Sequence, residues 1–285
     1  MLNIMSKKIV FHGYTYIGNN VWENNSTLPF GYTYLNGISR ETYDSLSSLE
    51  KREALLQGCV IADNDNVIDL TFENKIIDYD ITCDESISIE DSVIKVTKEN
   101  ASITLSFNGL EECETYLSIN GLNYNGTKEQ LKISMSATNS NDKTVHKTLK
   151  YFTPYYQWYS NRDSFMIHFG YDDHAKISIT ITFDTVGEYT YDSLEIQCLP
   201  MGNYENEVSL LKEDVLENVD FHENDIYATD KITGNISLDE SKYLLLTIPY
   251  SDGWSAYVDG ENKNYCKLIL CIWHYILKKE NMKLY

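Results

Sequence analysis

The sequence predicts a mainly β protein, in which an antiparallel, jelly-roll-like β-sandwich is inserted into a smaller α+β unit formed by the N- and C-terminal segments. Between residues 67 and 199, short stretches of alternating apolar and polar residues are separated by turn signals such as Asn-Gly. The chain contains 23 tyrosines and only 4 prolines, a composition that favours strands. Helical periodicity is confined to two segments, one on each side of the β-rich region.

The N-terminal segment, residues 1–82, combines short strands with the first helical pattern. Asn19 and its neighbour mark a turn between two strands. Ser39 has the side chain of an N-cap, and Gly58 ends the helix that follows it. Leucines recur on one face of this helix, although Glu53 interrupts them. We therefore expect one continuous helix that packs on a sheet.

The predicted sandwich spans residues 83–200. Many short strands at this spacing are typical of an antiparallel sandwich. The segment that begins at Gly109 is similar to the way in which jelly-roll modules enter a long strand. Such modules often bind sugars, but a fold alone does not establish a function. The clearest period-two alternation lies at residues 86–89, 93–96, 102–107, 176–183 and 188–196.

The C-terminal segment, residues 201–261, is predicted to contain a helix and a β-hairpin. Apolar residues recur at helical spacing over residues 204–218. An apolar strand then leads to residues 251–253 and 259–260, which carry the Asp-Gly dipeptides that tight turns favour. We expect this segment to pack with the N-terminal segment, so that the sandwich lies between them in the chain.

The charge of the chain limits its partners. A formal net charge of −20 argues against nucleic acid, because binding there depends on Lys and Arg that neutralise phosphates. It also disfavours peripheral binding to anionic lipid. The negative charge is explained by solubility. The alternative is that the acidic side chains bind a cation. Residues 63–66 resemble the start of a calcium loop but lack its glycine and its bidentate Glu, so a polar turn is favoured, and no metal or cofactor is predicted.

The cysteines are too dispersed for a zinc site. Cys59, Cys83, Cys113 and Cys198 have no C-x-x-C spacing. Outside the cell they would allow one or two disulfides among three pairings, whereas buried free thiols fit the sequence equally well. Residues 1–10 lack the apolar region of a signal peptide, so the isolated chain is expected to remain cytoplasmic.

An aromatic stretch, residues 151–159, carries the candidates for glycan contact, together with a nearby arginine. Aromatic rings stack on the C–H faces of sugars, while polar neighbours bond the hydroxyl groups. Two alternatives stay open: the rings fill the core or a domain interface, or they lie at a membrane interface, where Tyr and Trp concentrate. The candidates are Tyr155, Tyr156, Trp158, Tyr159 and Arg162.

No catalytic residues are predicted. The histidines are scattered, and the motifs of metalloproteases, serine hydrolases and phosphate-binding loops do not occur. Asp172, Asp173 and His174 form a tight acid–histidine cluster, and a solvated turn explains them. Asp252 and Asp259 would be the carboxylate pair of a glycosidase, but their positions in turns account for both.

Two blocks near opposite ends of the chain resemble a known family. Residues 248–260 fit the pattern I-P-Y-x-x-G-W-x-A-Y-V-D-G, and residues 21–32 are similar to Y-E-N-x-x-x-L-P-x-G-F. Both patterns resemble the YfhO family, which are large multi-pass bacterial membrane proteins of the lipid-linked glycosyltransferase type with an extracytoplasmic β-rich region. The residues that carry the resemblance are Trp22, Glu23, Asn24, Pro29, Gly31, Pro249, Tyr250, Gly253, Trp254, Asp259 and Gly260.

The resemblance implies a role in glycosylating cell-envelope polymers such as lipoteichoic acid from a lipid-linked sugar. The sequence contains no run of ~20 apolar residues that could span a bilayer. We therefore expect a non-catalytic piece from the outer face of the cell membrane. Its partners would be the membrane domain of the parent protein and the envelope glycan. The alternative is a purely structural module that orders the membrane domain.

The last residues, 262–285, depart abruptly from the family pattern. Back-translation from Glu261 with freely chosen synonymous codons, and with one A restored, gives an ending that includes G-E-H-E-V, as the family pattern requires. We therefore interpret this segment, with Cys266 and Cys271, as a frameshifted tail. A divergent but genuine C-terminal strand or helix is the alternative.

Overall fold

A computed structural model describes residues 13–61, 67–225, 228–249, 254–263, 266–267, 273–277 and 281–284. The chain forms two compact units. Unit 1 contains Met1–Phe72 and Asn203–Tyr285, and unit 2 contains Glu73–Gly202. The β-rich unit is therefore inserted in the chain of the other one. The predicted sandwich began at residue 83, but two strands at residues 75–77 and 79–83 already belong to unit 2.

The N-terminal part of unit 1 contains five strands and two helices among the described residues. They are β1 (Tyr14–Gly18), β2 (Val21–Asn24), β3 (Gly31–Tyr34), β4 (Gly37–Ser39), α1 (Arg40–Ser45), α2 (Ser48–Gln57) and β5 (Cys59–Ile61). The expectation of one continuous helix was wrong. Ser39 caps α1, but Leu46 is extended and ends it, and Ser47 starts α2 with a complete capping box to Glu50.

Unit 2 consists of thirteen strands in the part of the chain that the structure describes. They are β6 (Lys75–Ile77), β7 (Tyr79–Cys83), β8 (Ile87–Glu90), β9 (Val93–Val96), β10 (Ala101–Phe107), β11 (Cys113–Asn120), β12 (Asn123–Asn125), β13 (Gln130–Asn139), β14 (Thr144–Phe152), β15 (Phe165–Asp172), β16 (Lys176–Phe183), β17 (Gly187–Thr190) and β18 (Ser193–Pro200). They form three antiparallel sheets in the orders β14-β13-β16-β10-β7, β15-β11-β18-β6 and β12-β17-β9-β8.

The five-stranded sheet of unit 2 and the sheet of order β15-β11-β18-β6 share one core, so the unit is the antiparallel β-sandwich that the alternation predicts. In β10, Ile103 and Leu105 are fully buried while the intervening residues are not. They belong to the same apolar cluster as Leu117 and Ile196, which lie on the second sheet. The mainly β fold class is therefore confirmed.

The C-terminal part of unit 1 contains one short helix and eight strands among the described residues. They are α3 (Tyr204–Leu210), β19 (Glu217–Asp225), β20 (Ala228–Ser237), β21 (Lys242–Leu246), β22 (Ala256–Val258), β23 (Glu261–Lys263), β24 (Cys266–Lys267), β25 (Trp273–Leu277) and β26 (Asn281–Leu284). The predicted helix over residues 204–218 was too long. Its second half leaves the helix because the N–H of Leu216 donates to the carbonyl oxygen of Gly31.

The four cysteines outside the tail are free thiols in the structure. Cys59, Cys113 and Cys198 are buried, and Cys83 is exposed. Of the two options that the sequence left open, the structure therefore contains the free thiols.

Candidate functional site: an aromatic loop beside a lysine-bearing strand

The loop between β14 and β15 carries all five candidates for glycan contact. The chain enters it through Thr153, which is fully buried and donates from its hydroxyl to the carbonyl oxygen of Lys128 at 2.9 Å. Two successive turns follow, in which the N–H of Tyr156 donates to the carbonyl of Thr153 and the N–H of Tyr159 donates to that of Tyr156. Backbone hydrogen bonds therefore define the shape of this loop.

The loop presents aromatic rings to solvent. The side chains of Trp158 and Tyr155 are 73% and 65% exposed, respectively. Tyr156 and Tyr159 are half-buried, and Arg162 is exposed with its guanidinium over the ring of Phe165. The loop therefore leaves the rings of Tyr155 and Trp158 accessible from solvent.

Core packing accounts for the first residue of the aromatic stretch. Tyr151 is fully buried and packs in the core of unit 2, and its hydroxyl donates to the carbonyl oxygen of Leu122 at 3.1 Å. Burial raises the pKa of this phenol. The stretch thus divides into a core residue on β14 and exposed rings on the following loop.

The loop packs against the outer face of the five-stranded sheet. Phe152 stacks on Tyr156 with ring centroids 4.6 Å apart. Lys150 lies two residues earlier on the same face of β14, and it is the direct cross-strand partner of Lys132 on β13. The N–H of Lys132 donates to the carboxylate of Asp184 at 3.1 Å. Two exposed ammonium groups therefore share a sheet face with the base of the aromatic loop.

These lysines belong to a locally basic segment. Residues 128–162 contain six Lys or Arg against two Asp or Glu, a net charge of +4 in a chain of −20. Lys128 donates to the hydroxyl of Thr185 at 2.8 Å. Within the described part of the chain, the ammonium groups of Lys132, Lys143, Lys147 and Lys150 form no ion pair with a carboxylate.

The sequence analysis did not identify these lysines. The sequence does indicate them, because residues 128–162 have a positive net charge while the whole chain has a negative one. A single net charge for the whole chain conceals this difference. We call the cross-strand pair Lys132 and Lys150 the basic strip.

The acid–histidine cluster has a structural role. Asp172 is almost fully buried, and its carboxylate accepts hydrogen bonds from the side-chain amide of Asn139 (3.0 Å to each oxygen), from the N–H of His174 (3.2 Å) and from the ammonium of Lys176. Burial would raise the pKa of Asp172, but these donors outweigh burial, so that the pKa lies below its usual value. The network joins the ends of β13, β15 and β16.

Other acidic candidates occupy turns or lie outside the described residues. Asp259 and Gly260 both have positive φ values, 52° and 83°, as expected for the turn between β22 and β23. Asp252, residues 63–66 and the signature residues Tyr250 and Gly253 are not among the described residues.

In unit 1, the first family block pairs with the strand that leads into the second block. In the register of β3 and β21, Gly31 pairs with Leu246, and the N–H of Thr247 donates to the carbonyl oxygen of Phe30 at 2.9 Å. A Cβ at Gly31 would lie 2.8 Å from the side chain of Leu216, so only glycine fits.

The other described signature residues also belong to unit 1. Trp254, from the second block, packs with Phe30 in one apolar cluster. Trp22, Glu23 and Asn24 lie on β2, Pro29 precedes β3, and Pro249 is exposed after β21. Among the described signature residues, Gly31 and Trp254 therefore have visible packing roles in unit 1.

Comparison with known families decides the identity of the chain. The family described as "Bacterial membrane protein YfhO" matches residues 13–277, which is most of the sequence. The chain belongs to the YfhO family. Among the described residues of this YfhO-family chain, no helix is long and apolar enough to cross a membrane. A search of curated proteins found no match.

Two solved structures have a distant likeness to the YfhO-family chain. The structure of PfGH50B has a TM-score of 0.31 and 9% identity, covering 43% of this chain and 23% of that one. The CBM22-1 and GH10 modules of an endo-1,4-beta-D-xylanase 10B from Clostridium thermocellum, complexed with xylohexaose, have a TM-score of 0.26 and 14% identity. That match covers 43% of this chain and 25% of the xylanase chain.

Unit 1 also contains a cleft of about 480 Å³ between α2, α3 and the end of β3. Apolar residues such as Leu56 and Leu211 line it together with Glu213 and Glu240. Lys242, at its edge, pairs with Asp214 at 2.6 Å. The glycan-contact candidates belong to unit 2 and do not line this cleft.

Proposed function

We propose that this chain is a non-catalytic, extracytoplasmic part of a YfhO-like membrane protein and that it contacts the acceptor polymer during glycosylation of the cell envelope. The acceptor class is an anionic glycan or polyol phosphate such as lipoteichoic acid. The membrane domain of the parent protein would carry the transfer of the lipid-linked sugar.

The exposed rings of Trp158 and Tyr155 are the observation that carries this proposal. An aromatic ring offers a flat apolar surface, while a phenol or indole keeps a polar group for hydrogen bonds. The hydrogen-bonded turns of the loop hold both rings outside the core before any polymer binds, which reduces the entropy that binding would cost.

The basic strip supports an anionic acceptor. Lys132 and Lys150 are direct cross-strand partners, and like charges placed opposite each other destabilise a sheet. A phosphate-bearing polymer would neutralise both ammonium groups. The strongly negative charge of the rest of the chain would restrict such a polymer to this face.

The test is a binding titration of the full chain with purified lipoteichoic acid and, separately, with a neutral glycan. We expect Trp158→Ala to weaken lipoteichoic acid binding by at least about tenfold, the usual loss for a central aromatic contact. Tyr257→Ala, which removes an exposed ring in unit 1, is the matched control and should bind as the wild type does.

The charge contribution is tested by Lys132→Ala/Lys150→Ala against the double control Lys75→Ala/Lys98→Ala. The first pair should weaken binding and flatten its dependence on salt, because exposed charges are screened at high ionic strength. The control pair, also exposed in unit 2, should change neither. Failure of the wild type to bind lipoteichoic acid, or equal binding by all variants, contradicts the proposal.

A structural role for the chain is the second candidate. The signature residues that the structure describes lie in unit 1, where Gly31 and Trp254 build packing, while the aromatic loop lies in unit 2. A scaffold would show no polymer binding, yet deleting the chain from the parent protein would lower the amount of folded membrane domain.

A further inference from the structure

The β1–β2 hairpin is a separate two-stranded sheet in unit 1. Its turn residues Asn19 and Asn20 have φ values of 51° and 60°, which fit a type I′ turn. In the register, Tyr16 is opposite Trp22, and their ring centroids are 5.0 Å apart. No third strand pairs with this hairpin among the described residues.

The hairpin exposes apolar and aromatic side chains. Ile17 and Val21, on the two sides of the turn, are 60% and 50% exposed. Tyr14 and Tyr16 are also exposed, and they share one face of the hairpin with Trp22. An isolated hairpin is only marginally stable in water, so contact with another surface would stabilise this one.

The charge distribution identifies the kind of surface. Residues 13–39 contain a single charged side chain, that of Glu23, whereas 23% of the whole chain is charged. Tyr, Trp and Asn beside apolar tip residues are the composition of segments that lie at a membrane interface, where rings sit at the level of the headgroups. The aromatic loop differs, because lysines and Arg162 flank it.

We propose that the β1–β2 hairpin lies in the headgroup layer of a zwitterionic bilayer, with Ile17 and Val21 inserted and the rings of Tyr16 and Trp22 at the interface. The chain belongs to a family of bacterial membrane proteins, so a bilayer is a surface that its parent protein meets. A zwitterionic bilayer has no net charge, so contact with the hairpin does not require complementary charges. This proposal concerns unit 1 and does not depend on glycan contact by unit 2.

The test is flotation of the full chain with phosphatidylcholine vesicles, which contain no glycan. We expect the wild type to float with the vesicles and Ile17→Ser/Val21→Ser to lower its partition coefficient about tenfold, since two apolar side chains leave the interface. Both side chains are exposed, so the fold should be retained, and far-UV circular dichroism checks this. Ile76→Ser/Ile177→Ser, on exposed positions of unit 2, should float as the wild type does.

Quenching of tryptophan fluorescence by brominated lipid locates the contact independently. The quenching should disappear in Trp22→Phe and persist in Trp158→Phe. A wild type that stays unbound, or a hairpin variant that floats like its control, overturns the proposal. Loss of quenching in Trp158→Phe alone also overturns it, because that result would place the aromatic loop at the bilayer.

Discussion

Replacing Lys176, a buried lysine at the start of β16, by Met should strongly destabilise unit 2. The Lys176 side chain is 1% exposed and that of Asp172 is 8% exposed, so both charges are removed from water. Met has nearly the length and shape of the lysine stem, and therefore the substitution removes the charge without opening a large cavity.

The expected cost follows from the remaining partners of Asp172. Removing one member of a buried ion pair typically costs about 3–5 kcal/mol, because the other charge stays buried without its counter-charge. Asn139 and the N–H of His174 still donate to the carboxylate, which reduces the loss of stability. We therefore expect a decrease near the lower limit, about 3 kcal/mol, in the free energy of unfolding of unit 2.

The pH dependence gives this prediction a specific sign. In the wild type the pKa of Asp172 is lowered in the folded state, so its stabilising contribution is present above the unfolded pKa and is lost as the pH falls through the folded value. Without Lys176, the carboxylate loses a donor and a counter-charge that lower its pKa, so we expect the pKa of Asp172 to be higher in the folded variant than in the folded wild type. The difference in stability from the wild type should then shrink as the pH is lowered.

The assay is urea unfolding followed by circular dichroism at pH 7 and at about pH 4.5, which is near the ordinary pKa of a carboxyl group. It measures the loss of stability and the dependence of that loss on pH. Lys147→Met is the matched control, since Lys147 is exposed on β14, and it should change stability by less than ~0.5 kcal/mol. A loss below ~1 kcal/mol for Lys176→Met, or a loss that is independent of pH, would refute the reasoning that the pair is buried and coupled.

Further predictions concern packing, capping, thiols and the reading frame. Leu117→Ala, in the core of unit 2, should lower stability in urea unfolding by about 2–5 kcal/mol. Ser47→Ala should cost about 1 kcal/mol in thermal unfolding, because α2 loses its capping box. Cys83→Ser should remove one fast-reacting equivalent in thiol titration of the native chain, since Cys83 is exposed. Sequencing the DNA that encodes residues 262–285 should reveal the shift that restores G-E-H-E-V, and an intact frame that continues into a membrane-spanning helix would contradict it.

Local patterns predicted strands better than helices in this chain. Alternation in β10 and β16 reports directly on which residues face the core, because every second side chain of a strand points the same way. Helical spacing at residues 204–218 predicted too much helix. The apolar residues Val215 and Leu216 are held there by pairing with β3, which lies about 180 residues earlier in the chain, and this contact cannot be read from local spacing.

The candidate site was predictable in its residue types but not in its division between core and surface. Tyr151 and Tyr155 have the same side chain, yet the first is buried on β14 and the second is exposed on the loop. The difference depends on where the strand ends, and strand ends are set by hydrogen bonds such as those of Thr153. The cross-strand meeting of Lys132 and Lys150 required the register as well as the charge count.

The two units place different demands on the sequence. In unit 1, Gly31 is fixed by close packing against Leu216 and Leu246, so that a side chain at this position would disturb the packing of β3. In unit 2, Trp158 and Lys150 point away from the core and can change without a cost in packing. If the proposed polymer contact holds, residues that stability does not require can change with the acceptor. The same sandwich could then serve different polymers through changes confined to the loop and the basic strip, while the packing around Gly31 stays constant.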